Sequence, residues 1–286
     1  MRRPARKPLT GKRLRNLILN VVTNPFNMIV LISLILLICL IIIPLLQMIQ
    51  TTFTLAQSEL RRVNGKVGDF TLYYWKQLFA SNLSSALLWQ PLRNSLLIGI
   101  ITSAISVPLG ALLAWLMVRT DLPCKDLIGM LIIIPYMIPS WCKSMSWLAV
   151  FRNERSGTPG FLQGLGIPIP DWLAYGPIAI ILVMTLHYYA FSYIMVSSSL
   201  RSVNSELEEM GEIQGANKLQ ILRYITLPLV TPAILSATIM TLSKSVGSFG
   251  VAANLGMRIG YFTLATKMHD AINNRQAGLD TPWRYC

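Results

Sequence analysis

The sequence predicts an all-α fold: a bundle of helices that crosses a membrane several times. Three observations predict it. Apolar residues make up 53% of the 286 and charged residues only 13%, about half the charged share of a soluble domain. The apolar residues are bunched, with no Asp, Glu, Lys or Arg from Asn16 to Gln57, from Asn94 to Val118 or from Trp172 to Leu200. Each run reaches the roughly 20 residues of helix that a bilayer core requires. Basic residues gather beside the first run: Arg2, Arg3, Arg6, Lys7, Lys12, Arg13 and Arg15 all precede it. Flanking Lys and Arg mark the cytoplasmic side of a membrane segment. The formal net charge of +13 therefore reads as membrane topology, and nucleic acid is not an expected partner.

The elements follow in order. Residues 1–25 form a basic cytoplasmic N-terminus. Residues 26–48 are a first transmembrane helix. Its apolar run, Phe26–Leu46, is longer than the roughly 7–15 residues of a signal-peptide core, so it is retained. Residues 49–91 form an external loop. Residues 92–274 hold the remaining spans, expected at 94–118, 127–150, 176–199 and 229–250. Between them, Arg119–Asp126 is a short inner turn. Phe151–Tyr175, rich in Gly and Pro, is an outer loop of ordered turns. Segment 200–228 then lies inside. Residues 275–286 form a tail that looks truncated before a further span. Cys39, Cys124, Cys142 and Cys286 form no close pair, so neither a disulfide framework nor a zinc site is expected. No metal site and no cofactor are expected.

The inner segment 200–228 is the most informative. Ser205-Glu206-Leu207-Glu208 reads as a capping box. Glu206, Glu208, Glu209 and Glu212 occupy the opening turns, where the helix dipole favours negative charge. Gly215 predicts a bend. A second short helix is expected from Asn217 to Tyr224, ending against Leu227-Pro228, after which the next helix starts. Two short helices at the inner membrane surface make a docking shape, although capped amphipathic helices also serve as plain connections.

These residues carry a resemblance. Glu209-Met210-Gly211, three residues, Gly215-Ala216, eight residues, then Ile225-Thr226-Leu227-Pro228 resembles the coupling-loop signature of binding-protein-dependent ABC permeases. That pattern is Glu-Ala-Ala, three residues, Gly, nine residues, Ile-x-Leu-Pro. The spacing agrees throughout, and Met210-Gly211 replaces the two alanines. The resemblance runs from about Arg93 to Asn274. It implies the type I ABC importer permease fold and an ATPase-coupling role for Glu209, Met210, Gly211, Gly215, Ala216, Ile225, Leu227 and Pro228. It also implies three kinds of partner besides the lipid membrane: an ABC ATPase subunit, an external solute-binding protein, and a second permease half or an identical copy. The chain has no Gly-x-x-x-x-Gly-Lys-Ser/Thr pattern for cradling phosphates, so ATP hydrolysis is expected on a separate subunit and the chain is not itself an enzyme. Ser248-Phe249-Gly250 and Thr263-Leu264-Ala265 resemble the ferric-iron branch, which makes ferric iron the lead substrate and the chain the N-terminal half of a two-half permease. Phosphonate, polyamine, thiamine and sulfate permeases share the pattern. An ion-coupled carrier and a membrane scaffold are the readings outside this class; neither accounts for the coupling spacing.

Ionisable residues inside spans are the remaining candidates. Lys143 falls in the third expected span and Lys244 in the fifth. A charge in hydrocarbon costs about 2.5–3.5 kcal/mol on insertion scales, so each must face protein, water or an interface. Lys244, Ser248 and Lys143 are candidates for the translocation pathway, with snorkelling as the alternative for both lysines. A lysine in the pathway would attract an anion and repel a bare cation. His187, beside Tyr188 and Tyr189, reads first as a hydrogen-bonded packing residue.

Overall fold

Apolar runs of this length form helices because a bilayer offers the backbone no other hydrogen-bond partners. The computed structural model describes residues 25–56, 60, 63, 65–153, 157–204 and 206–276. The basic N-terminal segment, the expected Ser205 cap and residues 277–286 lie outside the described residues. The chain divides into two units, Met1–Gln77 and Leu78–Cys286.

In the first unit, helix α1 runs Pro25–Phe53 through Pro44. Its 29 residues measure about 44 Å, enough to cross a bilayer core with tilt. The chain then returns on itself. Thr54 and Phe70 form an antiparallel bridge. Phe53 stacks on Phe70 with centroids 5.8 Å apart and on Trp75 at 5.9 Å.

The second unit contains α2 (Gln90–Arg119), α3 (Lys125–Met137), α4 (Ser140–Phe151), α5 (Pro177–Ser202), α6 (Glu206–Ile213), α7 (Leu227–Val246), α8 (Gly250–Leu255) and α9 (Leu264–Gln276). Its core is the packing of α2 on α5, with α7 against both. Without water to drive apolar association, helices in lipid pack through small residues that let backbones approach. Gly110 is such a position, because a Cβ there would lie 2.4 Å from the Tyr189 carbonyl and 2.7 Å from Ser192 Cβ. Gly99 does the same for α7, where a Cβ would lie 2.6 Å from Val246 Cγ2. Ser95, Ser106 and Ala114 of α2 are buried along with them. One apolar cluster gathers Ile98, Ile180, Met184, Val251 and Leu255. Another, towards the end that carries α6, gathers Met117, Tyr193, Val196, Leu200 and Val230.

Polar contacts fasten the opposite end. Trp147 Nε1 donates to the Leu173 carbonyl at 2.9 Å, and Asn153 donates to the Asp171 carboxylate. Asn254 of α8 donates to Ser144 of α4 at 2.7 Å. Asn94 donates to the Phe262 carbonyl, and Ser95 Oγ accepts the Leu264 amide.

Among the described residues, four helical stretches are long and apolar enough to cross a membrane: Pro25–Phe53, Ser85–Arg119, Asp171–Ser202 and Lys218–Val246. The expected third span, 127–150, is not one straight helix. It is α3 and α4, bent by 96°. At about 20 and 18 Å, neither crosses a core of about 30 Å alone. The break falls at Ile138-Pro139. Pro139 has no N–H to donate, and a residue before proline is pushed from helical to extended backbone; Ile138 has φ −78° and ψ 130°.

The coupling segment also departs from expectation. Lys218–Ile221 does not end against Leu227-Pro228. It continues through a π-helical turn, Leu222–Thr226, into α7. The Leu227 N–H reaches five residues back to the Leu222 carbonyl. A wider turn just before Pro228 relieves the clash that a proline ring makes with the carbonyl four residues earlier. The expected short helix is therefore the first turn of a long one.

Candidate functional site

The coupling signature creates a helix end at Gly215. Gly215 has φ +84°. Its N–H meets the Glu212 carbonyl at 2.9 Å, and the Ala216 N–H meets the Gly211 carbonyl at 3.0 Å. These two bonds are a Schellman cap, which needs a residue with positive φ and so selects glycine. A Cβ on Gly215 would meet nothing within 4 Å, so the backbone there is open to an approaching surface. Gly211 faces the other way and is buried. A Cβ there would lie 3.0 Å from Ile225 Cδ1 and 3.3 Å from Ile221 Cγ1. The glycine that replaces the signature's second alanine packs closely against the helix returning to the membrane. Only movable side-chain ends would meet a methyl group there.

The rest of the signature splits between these two faces. Glu209 and Met210 are exposed, Ala216 and Ile225 are half-buried, and Leu227 and Pro228 are exposed at the start of α7. Asn217 caps the second stretch with a reciprocal box: its side chain accepts the Gln220 N–H at 2.8 Å, and Gln220 Oε1 accepts the Asn217 N–H at 2.8 Å. Asn204 accepts the Glu206 N–H at 3.1 Å, so it opens α6. Gly211, Gln214, Gly215, Gln220, Ile221 and Tyr224 line a cavity of about 400 Å³. Beside it stand large apolar side chains in solvent: Ile213 is 85% exposed, Leu219 71% and Tyr224 69%.

Sequence reasoning missed the acid that holds this loop. Glu208, not Glu209, pairs with Arg119 at the end of α2, with Oε2 3.1 Å from Nε. Thr226 Oγ1 donates to Glu208 Oε1 at 2.7 Å, and Arg119 Nη2 donates to the Val203 carbonyl at 3.2 Å. The three contacts tie α6 to the ends of α2 and α5 and to the start of α7. One signal was available: Arg119 is the first charge after the uncharged run Asn94–Val118, and an acid on the neighbouring loop is a natural partner for it.

The candidate pathway residues are placed differently from one another. Lys143, on α4, is half-buried and Lys244, on α7, is exposed. Lys143 Nζ contacts the Pro135 carbonyl and His187 Nδ1. Lys244 Nζ lies 3.3 Å from the Tyr136 hydroxyl and 4.3 Å from the Phe191 ring centroid. Tyr136 stacks on His187 at 5.3 Å. The two lysines, 101 positions apart in the sequence, thus meet across one Tyr–His pair. Ser248 is not part of this cluster. It sits half-buried in the turn after α7, with its N–H on the Ser245 carbonyl at 3.2 Å.

The family model described as binding-protein-dependent transport system inner membrane component matches residues 106–282. A probable sulfate transport system permease protein of Marchantia polymorpha is 25% identical over 170 residues, which cover 57% of this chain and 56% of that protein. The molybdenum transport system permease protein of Escherichia coli strain K12 is 26% identical over 166 residues, covering 57% and 69%. A putative 2-aminoethylphosphonate transport system permease protein of Salmonella typhimurium is 31% identical over 115 residues, covering 38% and 43%. The match thus spans little more than half the length of the first of these relatives. In fold, the chain is similar to a bacterial ABC transporter involved in import of the acidic polysaccharide alginate, with TM-score 0.65, 15% identity, and coverage of 92% of this chain and 89% of that one. It is similar also to that type of transporter in complex with an alginate pentasaccharide-bound periplasmic protein, with TM-score 0.64 and 16% identity.

Proposed function

This chain belongs to the family of binding-protein-dependent transport system inner membrane components, and we propose that it is the permease subunit of an ATP-driven ABC importer. It is a multi-pass membrane protein with the helical fold of such permeases. Its own role is to form part of the solute path and to turn the work of a separate ATPase into a change of that path's shape. The observation that carries the reading is the coupling segment. A Schellman turn at Gly215 presents bare backbone, exposed Ile213, Leu219 and Tyr224 flank it, and Glu208 ties the segment to the end of α2 and the start of α7. A push on this surface is delivered to the spans through packed side chains, as a two-state transition requires.

The segment faces the cytoplasm in this reading, together with the N-terminus, in accord with the basic residues before α1. The loop between α4 and α5 faces outward and meets a solute-binding protein. A second permease, either a different half or an identical copy, completes the path. Ferric iron, the lead substrate by resemblance, gives way to a small oxyanion. The relatives above are named for sulfate, molybdenum and 2-aminoethylphosphonate, none for iron, and two lysines stand in the spans.

The test is to purify the tagged chain from its own membranes and measure what accompanies it. The expected companion is a subunit that hydrolyses ATP, at a fixed ratio to the chain. Reconstituted with a solute-binding protein, the assembly should take up solute only when ATP is supplied. A pure chain with no ATPase, or uptake driven by an ion gradient without nucleotide, would overturn the reading.

A further inference from the structure

The break between α3 and α4 does more than bend the chain. Pro139 has no N–H, so the Pro135 carbonyl lacks the helical partner it would find four residues on. Lys143 Nζ takes that carbonyl and also meets His187 Nδ1. An ammonium only donates. His187 Nδ1 therefore accepts, and its ring proton sits on Nε2 as a further donor. Lys244 Nζ in turn donates to the Tyr136 hydroxyl at 3.3 Å, which leaves the Tyr136 O–H free to donate elsewhere. The cluster thus offers N–H groups from two ammoniums, an imidazole N–H and a phenol O–H. Its one carbonyl acceptor is already engaged.

Among the described residues, nothing neutralises this charge. Helices α2, α4, α5 and α7 contain no Asp or Glu, and the acid of α3, Asp126, lies in its first turn. Neither lysine makes an ion pair among the described residues. The rings of Tyr136 and Phe191 lie 5.9 and 4.3 Å from Lys244 Nζ, which eases the cation without neutralising it. The depth suits a pathway. His187 is ten residues into the 26 of α5, about 15 Å along it, close to the middle of a core of about 30 Å. Irregular backbone at that depth is tolerated where it is buried in protein or lines a water-filled cavity. Of the four residues, Lys143 alone reaches a neighbouring, largely apolar cavity of about 240 Å³, lined also by Ser146, Trp147, Phe151 and Leu186.

We propose that Lys143, His187, Tyr136 and Lys244 form a station for a small tetrahedral oxyanion on the solute path. Several donors gathered in one cluster, with net positive charge and no carboxylate paired to it among the described residues, match an ion that carries acceptors on every side. This rests on the importer reading for its place in a path; its binding chemistry stands on the cluster alone.

The experiment titrates the permease–ATPase complex in lipid nanodiscs. No solute-binding protein is present, since that would bind the anion itself. Sodium sulfate, sodium molybdate and 2-aminoethylphosphonate are the probes, with sodium chloride at matched ionic strength as reference, and calorimetry reads binding. Saturable binding of at least one of the three is expected, and none of chloride. Lys143→Gln with Lys244→Gln should weaken it about ten- to hundredfold, the worth of one or two charge-assisted hydrogen bonds. Lys244→Arg keeps the charge and should retain most of the binding. Lys66→Gln, which removes a charge from the other unit, should change nothing, and ATP hydrolysis by the complex shows that the variants are assembled. Wild-type protein that binds none of the three anions overturns the proposal. So does a double variant that binds as wild type, or a Lys244→Arg variant that loses as much as the double variant. If no ATPase accompanies the chain, the importer reading fails, and the same titration of the purified chain still decides the station.

Discussion

Replacing Arg119 with Met keeps the aliphatic stem and removes the cation that Glu208 faces. The wild-type loop is held by the Arg119–Glu208 pair at 3.1 Å, the Thr226 bond at 2.7 Å and the Arg119 bond to Val203 at 3.2 Å. The substitution deletes the first and third and leaves a carboxylate with one hydroxyl partner. Breaking a fully buried pair costs about 3–5 kcal/mol, while an exposed pair contributes about 0–1. The two side chains are 16% and 18% exposed, between those limits. We expect about 2 kcal/mol for local release of α6, roughly a thirtyfold shift in its opening equilibrium. Amide hydrogen exchange of residues 206–213, read by mass spectrometry on the assembled complex, measures that shift directly. The exchange should quicken by about that factor in α6 while α2 and α5 stay protected. Glu209→Gln, next door but exposed, should leave the exchange unchanged. Equal exchange in Arg119→Met and wild type, or a larger effect from Glu209→Gln, would refute the assignment of Glu208 as the acid that holds the loop.

Three further expectations can be checked independently. Gly215→Trp puts a large side chain on a residue with φ +84°, costing about 1–2 kcal/mol locally and covering the open backbone; nucleotide-driven uptake should vanish while circular dichroism of the helices is unchanged, and normal uptake would show that this turn does not dock. Gly110→Ala places a methyl 2.4 Å from the Tyr189 carbonyl, where backbone rather than a side-chain end must yield; about 1–3 kcal/mol of destabilisation should appear as a lower unfolding midpoint in detergent, and an unchanged midpoint would mean that α2 and α5 do not pack through this face. Single cysteines at Thr158 and Asn217, in a chain freed of its own cysteines, report topology: an impermeant thiol reagent on intact cells should label position 158 and spare 217, and the reverse pattern would invert the orientation.

Elements that depend only on local chemistry are written in the residues themselves. Uncharged runs of membrane length become helices because lipid leaves the backbone no other partner, and the runs around Phe26–Leu46, Asn94–Val118 and Trp172–Leu200 could be read directly. Gly215 was legible for a similar reason, since a helix end that turns through positive φ selects glycine, and the coupling signature is a spacing preserved in the chain. Pro139 fell inside the expected third span and its break was not foreseen; the 96° between α3 and α4 depends on what each half packs against. The π turn before Pro228 was likewise hidden, because a proline can either end a helix or be accommodated within it. Only tertiary structure chose Glu208 over Glu209. Adjacent residues on a helix point about 100° apart, and which of them meets Arg119, 89 positions earlier, depends on how α6 lies on the bundle. The meeting of Lys143, His187 and Lys244 has the same origin. Each was visible as an ionisable group in an apolar run, but bringing three helices to one point is the work of the small residues at Gly99 and Gly110 and of the break at Pro139. The reason is geometric: the sequence sets the angle at which a side chain leaves its own helix, and packing sets what stands opposite.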